Sequence, residues 1–201
     1  VTPVYKLSAN SVKNGRTVYG SMLAGNTAFI ATAFESIATV TVGSGGAANV
    51  EFTSIPATYT HLQVRGIGRS TRTATIDDLG IRINSDTGSN YAYHILRGDG
   101  ASVIAAAGAT QTTGYAGRIA AASATSSVFG VAVIDILDYA NTNKYKTIRG
   151  LAGSDNNGNG NVEFGSTLWM NTNAITNILL YPPSFNFAQY THFALYGIKG
   201  A

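Results

Sequence analysis

The stretch that decides the fold is Val128 to Tyr139, V-F-G-V-A-V-I-D-I-L-D-Y. Val128, Gly130, Ala132, Ile134 and Ile136 form one alternate set, and Phe129, Val131, Val133, Asp135 and Leu137 form the other. Both sets are mainly apolar, and the β-branched content and short length favour a strand over a helix. A strand apolar on both sides is expected in the middle of a sheet, covered on each face. The stretch therefore reads as the central strand of a β-sandwich. Asp135 marks where cover ends on one face, and Asn141-Thr142-Asn143 supplies the next turn. Such a strand organises the fold and is expected to carry no chemistry.

Working outward, the same texture of short alternating runs between turn residues continues. Ala38 to Val42, Asn49 to Thr53, His61 to Ile67, a run through Leu79, Ile81 and Ile83, Asn90 to Leu96, and Thr113 to Ala121 read as strands upstream. Downstream, Lys144 to Leu151, Asn161 to Trp169, Ala174 to Tyr181 and Tyr190 to Ile198 follow. Lys144 and Lys146 suit an edge strand, where lysines discourage pairing with other chains. Arg97 to about Thr112 is rich in Gly and Ala and reads as a loop with a short turn. About ten strands at this spacing predict an all-β fold, a single antiparallel sandwich of jelly-roll type over residues 37–201.

Residues 1–36 differ. Tyr5, Leu7, Val12, Val18, Tyr19, Met22, Leu23, Phe29, Ile30 and Phe34 are apolar but follow no strand or helix period. Ser11 to Val18 resembles a small hairpin around Asn14-Gly15, a pair suited to the positive φ of a type I′ turn. An isolated hairpin is marginal in water, so this segment needs a partner surface: either it folds back on its own sandwich or, the reading adopted, it is an extended arm laid on a partner protein.

The totals narrow the function. A chain of 201 residues can bury roughly 70% of its unfolded surface and fold without staples. The absence of cysteine removes disulfides, thiolate metal sites and Cys nucleophiles. Charged residues are 11% of the chain, against about 25% in average soluble proteins. A net charge of +3, scattered along the chain, argues against nucleic acid. No apolar run is long enough for membrane insertion, and no charged-then-apolar start suggests a signal peptide. Low charge with many small polar residues suits a protein packed against others.

No catalytic constellation emerges, and no enzyme activity, metal or cofactor is expected. His61, His94 and His192 lie on three separate runs without metal-ligand spacing. Asp77, Asp78, Asn84 and Asp86 form the main acidic cluster but do not follow a calcium-loop pattern. Asp135 and Asp138, three apart, point to opposite faces of a strand, which does not suit a glycosidase pair. Loops carrying Arg69, Arg72, Arg97, Asp155, Asn156 and Asn157 are the expected distal contacts if the chain binds a surface.

Several stretches carry a resemblance. They are Asn84 to Gly100 (N-S-D-T-G-S-N-Y-A-Y-H-I-L-R-G-D-G), Leu168 to Ile178 (L-W-M-N-T-N-A-I-T-N-I), and the ending Asn186-Phe187 … Ala194-Leu195-Tyr196-Gly197-Ile198. With Gly43-Ser44-Gly45-Gly46 and Phe52-Thr53-Ser54-Ile55-Pro56, they resemble a β-sandwich module of virion structural proteins of tailed bacteriophages. The resemblance covers about Phe34 to Ala201. It implies a virion component assembled in the bacterial cytoplasm, homo-oligomeric and commonly trimeric, with no catalytic residues. The expected role is a capsid decoration (cement) protein whose arm binds the major capsid protein. The alternative is a tail-fibre or tail-tip protein that joins other tail proteins and contacts the host surface.

Overall fold

The computed structural model describes residues 33–200, so the hairpin expected at Ser11 to Val18 and the arm residues Tyr5 to Ile30 lie outside them. The chain divides into two units, Val1–Ala33 and Phe34–Ala201. Within the second, the described residues form β1 (Phe34–Thr41), β2 (Val50–Phe52), β3 (His61–Gly68), β4 (Ile76–Ile83), β5 (Tyr91–Gly98), β6 (Val103–Gln111), β7 (Gly114–Ala120), β8 (Gly130–Leu137), β9 (Lys146–Asp155), β10 (Gly160–Trp169), β11 (Ile178–Tyr181) and β12 (His192–Ile198), with no helix.

Four antiparallel pairs are nested in sequence: β1 with β12, β2 with β11, β3 with β8, and β4 with β7. The first and third lie in one sheet and the second and fourth in the other. That alternation is what a long hairpin gives when rolled into two layers, so the expected jelly-roll topology is present. Two hairpins are inserted into it. The β5–β6 hairpin lies between β4 and β7 in sequence, and β9–β10 lies between β8 and β11. Both extend the same sheet, giving the orders β1-β12-β3-β8-β9-β10-β5-β6 and β2-β11-β4-β7.

The core lies between the sheets. Leu62 and Val64 of β3, Ile134 and Ile136 of β8, and Phe193 and Leu195 of β12 face it from the large sheet. Leu79, Ile81 and Ile83 of β4, with Ile178 and Leu180 of β11, face it from the small one. Fully burying each such side chain contributes about 1.5–3 kcal/mol. Two glycines let β7 come close: a Cβ on Gly130 would stand 2.8 Å from the backbone of Ile119 and Ala120, and one on Gly150 would stand 2.6 Å from the Ala116 carbonyl.

Three expectations fail. First, β8 is central in the large sheet but is covered on one face only. Gly130, Ala132, Ile134 and Ile136 are buried, while Val131 and Leu137 are more than half exposed. Apolar alternation records a preference for leaving water, not which layer provides the cover. Second, β9 is an interior strand between β8 and β10. Lys146 points inward and is 1% exposed, donating to the carbonyls of Asn141, Lys144 and Thr172 at 2.5, 2.9 and 3.1 Å. Burial lowers the pKa of its ammonium, and Lys144 adds to that effect. Third, the Gly/Ala-rich stretch is not a loop: Val103–Gln111 is the nine-residue strand β6, aligned by pairing with β5 despite poor strand propensity.

Candidate docking face

The outward-facing residues of the large sheet follow from its register. One row runs Arg65–Val133–Leu151–Phe164–Leu96–Ala105 across β3, β8, β9, β10, β5 and β6. The next row runs Ile67–Val131–Gly153–Val162–Gly98–Val103 over the same strands. Val131 is 55% exposed, Leu151 53%, Val162 61%, Phe164 46%, Leu96 53% and Val103 75%. Two adjacent rows are thus almost wholly apolar and in water.

The face has relief. Because Gly153 and Gly98 carry no side chain, the second row dips into a depression of about 780 Å³. Val131, Val133, Leu151 and Val162 line it, with Asp99 and Asp155 at its polar end. A smaller depression of about 320 Å³ shares Val131 and Val133 and reaches Ile67, His192 and Tyr196.

A polar row, Gln63–Asp135–Arg149–Ser166–His94, bounds the apolar rows on the side away from these loops. Gln63 Nε2 donates to Asp135 Oδ1 at 2.6 Å, and Arg65 Nε donates to Gln63 Oε1. The guanidinium of Arg149 lies 5.7 Å from the Phe164 ring, and that of Arg65 lies 5.3 Å from Phe34. An apolar centre with a polar rim is the anatomy of a protein-binding surface.

The residues singled out from sequence fall elsewhere. Phe34, expected in the arm, belongs to β1, pairs with Ile198 and stacks on Tyr196 with ring centroids 4.8 Å apart. The other arm residues lie outside the described ones. Arg69 turns inward: its guanidinium donates to the carbonyls of Ala122, Ala124, Thr125 and Val128 at 2.8–3.1 Å and ties that loop to β3. Arg72 pairs with buried Asp77 at 3.1 Å and lies over Phe185. Arg97 is largely buried near Glu163. Asp155, Asn156 and Asn157 do form an exposed turn, in which Asp155 Oδ1 accepts from the Asn157 amide and Asn156 Oδ1 accepts from the Thr125 amide.

The polar residues considered for chemistry are dispersed. Asp77 and Asp78 sit near the start of β4, paired with Arg72 and Arg118. Asn84 and Asp86 lie beyond its far end. Asn84 Oδ1 accepts from the Thr176 and Asn177 amides, while Asp86 accepts from the Trp169 indole at 2.7 Å and from the Asn90 amide at 2.9 Å. Burial works against the charge on Asp86, but these bonds and one from the Gly88 amide outweigh it and hold its pKa below the ordinary value. His61 Nδ1 accepts from the Asp138 amide, His192 contacts Thr41, and His94 faces outward on β5. Among the described residues no three His, Asp or Glu side chains are grouped so as to hold a metal ion.

A buried carboxylate lies where β7, the edge of the small sheet, ends the cover over β10 and β5. Glu163 is 1% exposed, and its carboxylate is 3.9 Å from both Arg97 and Arg118. Neither oxygen accepts a well-formed hydrogen bond. Burial pushes the Glu163 pKa up, and the nearby Tyr115 hydroxyl and two guanidinia do not cancel that effect.

The sequence does not reveal these apolar rows, because alternation alone places Val131 and Val133 in a second buried layer. The usable signal was the recurrence of the same alternation in β9 and β10, where Leu151, Val162 and Phe164 add large apolar side chains to one face of adjacent strands. Compared with protein-family models, with curated proteins and with solved structures, the chain has no match in any of the three.

Proposed function

We propose that this chain is a non-catalytic structural subunit of a virion, a capsid decoration protein that docks on the shell of major capsid protein. The observation that carries the reading is the pair of apolar rows on the outer face of the large sheet. Monomeric soluble proteins seldom leave so continuous an apolar surface in water. In this reading residues 1–32 serve as the tether, and the outer face rests on neighbouring subunits. Low charge fits a lattice in which many weak contacts act together. The tail receptor-binding alternative draws on the distal loops, but Arg69 and Arg97 are engaged inside the domain, which leaves the turn at Asp155 to Asn157 as its chief support.

Immunogold labelling of purified particles of the source phage, with antibody raised against this chain, tests the proposal. Dense labelling over the head is the expected result. Gold confined to the tail would transfer the chain to the alternative role, and particles lacking the chain would overturn both.

A further inference from the structure

Among the described residues, strand β6 is the large sheet's edge opposite β1 and is paired on one side only, to β5. In an antiparallel strand, alternate residues direct N–H and C=O away from the existing partner, so its free side offers an unpaired ladder. Natural edges are normally blunted by charge, Pro, bulges or short length. The other three edges follow that rule. β1 carries Glu35, which accepts from Lys199 and Tyr59. β2 has only three residues and is soon followed by Pro56. β7 carries Arg118 and pairs with β4 through a register shift. By contrast, β6 is V-I-A-A-A-G-A-T-Q, without charge or Pro, and Val103 to Ala107 are exposed. Its irregularity is confined to the far end, where pairing shifts between Tyr91 and Tyr93 and Thr110 has φ 53°.

We infer that β6 pairs antiparallel with β6 of a second copy of this chain about a twofold axis at Ala106. Self-pairing places a strand against its own reversed sequence, and opposed like charges destabilise it. β6 has none to oppose. The register also matches sizes. An axis at Ala106 sets Ala105 against Ala107 of the second copy and Ile104 against its Gly108. Ile104 and Gly108 share a face, since their β5 partners are Arg97 and Tyr93. At Gly108 the position of a Cβ is taken by the Tyr93 ring, 2.6 Å away, so Ile104 of the other copy would pack beside an aromatic edge. The strand's lack of charge and its large-against-small order under reversal select a second copy over a foreign strand.

The test is the oligomeric state of the full chain by sedimentation and native mass spectrometry across a dilution series, independent of whether the chain resides in a head or a tail. A dimer is expected, or an assembly that dissociates to β6-paired dimers. Ala105→Lys should weaken it at least about tenfold, since an ammonium then stands in each of two paired positions. Ala107→Glu should do the same. Combining both substitutions in one chain opposes each ammonium to a carboxylate and should restore association to within about threefold of the parent. Both positions are exposed, so the circular dichroism spectrum of each variant should match the parent's. A monomer at every concentration, an oligomer insensitive to both single substitutions, or failure of the double variant to restore pairing would each overturn the inference.

Discussion

Glu163 is held in a place that disfavours its charge, beside two arginines too distant to bond it well. Its pKa lies above the ordinary 4.5, chiefly because of burial. A carboxyl raised on folding contributes stability that is fully present below its unfolded pKa and is lost as pH rises through the folded value. Replacing Glu163 by Gln removes that loss while keeping size and hydrogen-bonding capacity. The melting temperature of Glu163→Gln should therefore exceed the parent's at pH 8, with the difference shrinking toward pH 4. Melting curves of both proteins at matched pH check this. A difference that grows as pH falls would mean that the arginines, not burial, govern the site. Asp86 behaves oppositely: its lowered pKa contributes stability above about pH 4, lost as pH falls further.

At the scale of elements, the long connection between β7 and β8 is tied down chiefly by Arg69, beside the bond from the Thr125 amide to Asn156 Oδ1 and backbone bonds to Arg72, Ala74 and Thr75. Arg69 follows directly after β3 and donates to four carbonyls within residues 122–128. Hydrogen bonds from a charged donor are worth about 1.5–3 kcal/mol each when measured singly, less when several share one partly exposed group. Arg69→Met should cost about 2–3 kcal/mol and speed amide exchange in 122–128 ahead of the sheets. Arg72→Gln, which alters a pair with a half-exposed guanidinium, should cost at most about 1 kcal/mol. Denaturant melts with hydrogen exchange separate the two. Equal losses would mean that the Arg69 contacts do not order the loop.

For the whole molecule, the nested pairs make the domain self-sufficient. Its core cluster runs from Val42 to Leu195 and draws on both sheets. Residues 34–201 expressed alone should therefore fold, with a β-rich circular dichroism spectrum and a cooperative melt close to the full chain's. Under the proposed function the same truncation should lose its place in the particle. An unfolded product would instead show that residues 1–33 are needed to complete the core.

The sequence by itself determined the all-β class and the positions of most strands, because alternation with β-branched residues and turn signals are local properties. Trp169 and Tyr91 were placed in strands from the same local signal. Burial of Lys146, the inward turn of Arg69 and the strand state of Val103–Gln111 were decided only by tertiary structure. Lys146 finds three carbonyls contributed partly by a distant segment at Thr172, and Arg69 finds four carbonyls more than fifty residues away. Val103–Gln111 becomes a strand because β5 offers it a ladder. The docking face was decided the same way. Val131, Leu151, Val162 and Phe164 are each apolar in sequence, but whether an apolar side chain meets a second sheet or water depends on which face of the large sheet the small sheet packs against. Two inserted hairpins widen one layer of the jelly roll without widening the other, and the outer face of the wider layer has no cover among the described residues.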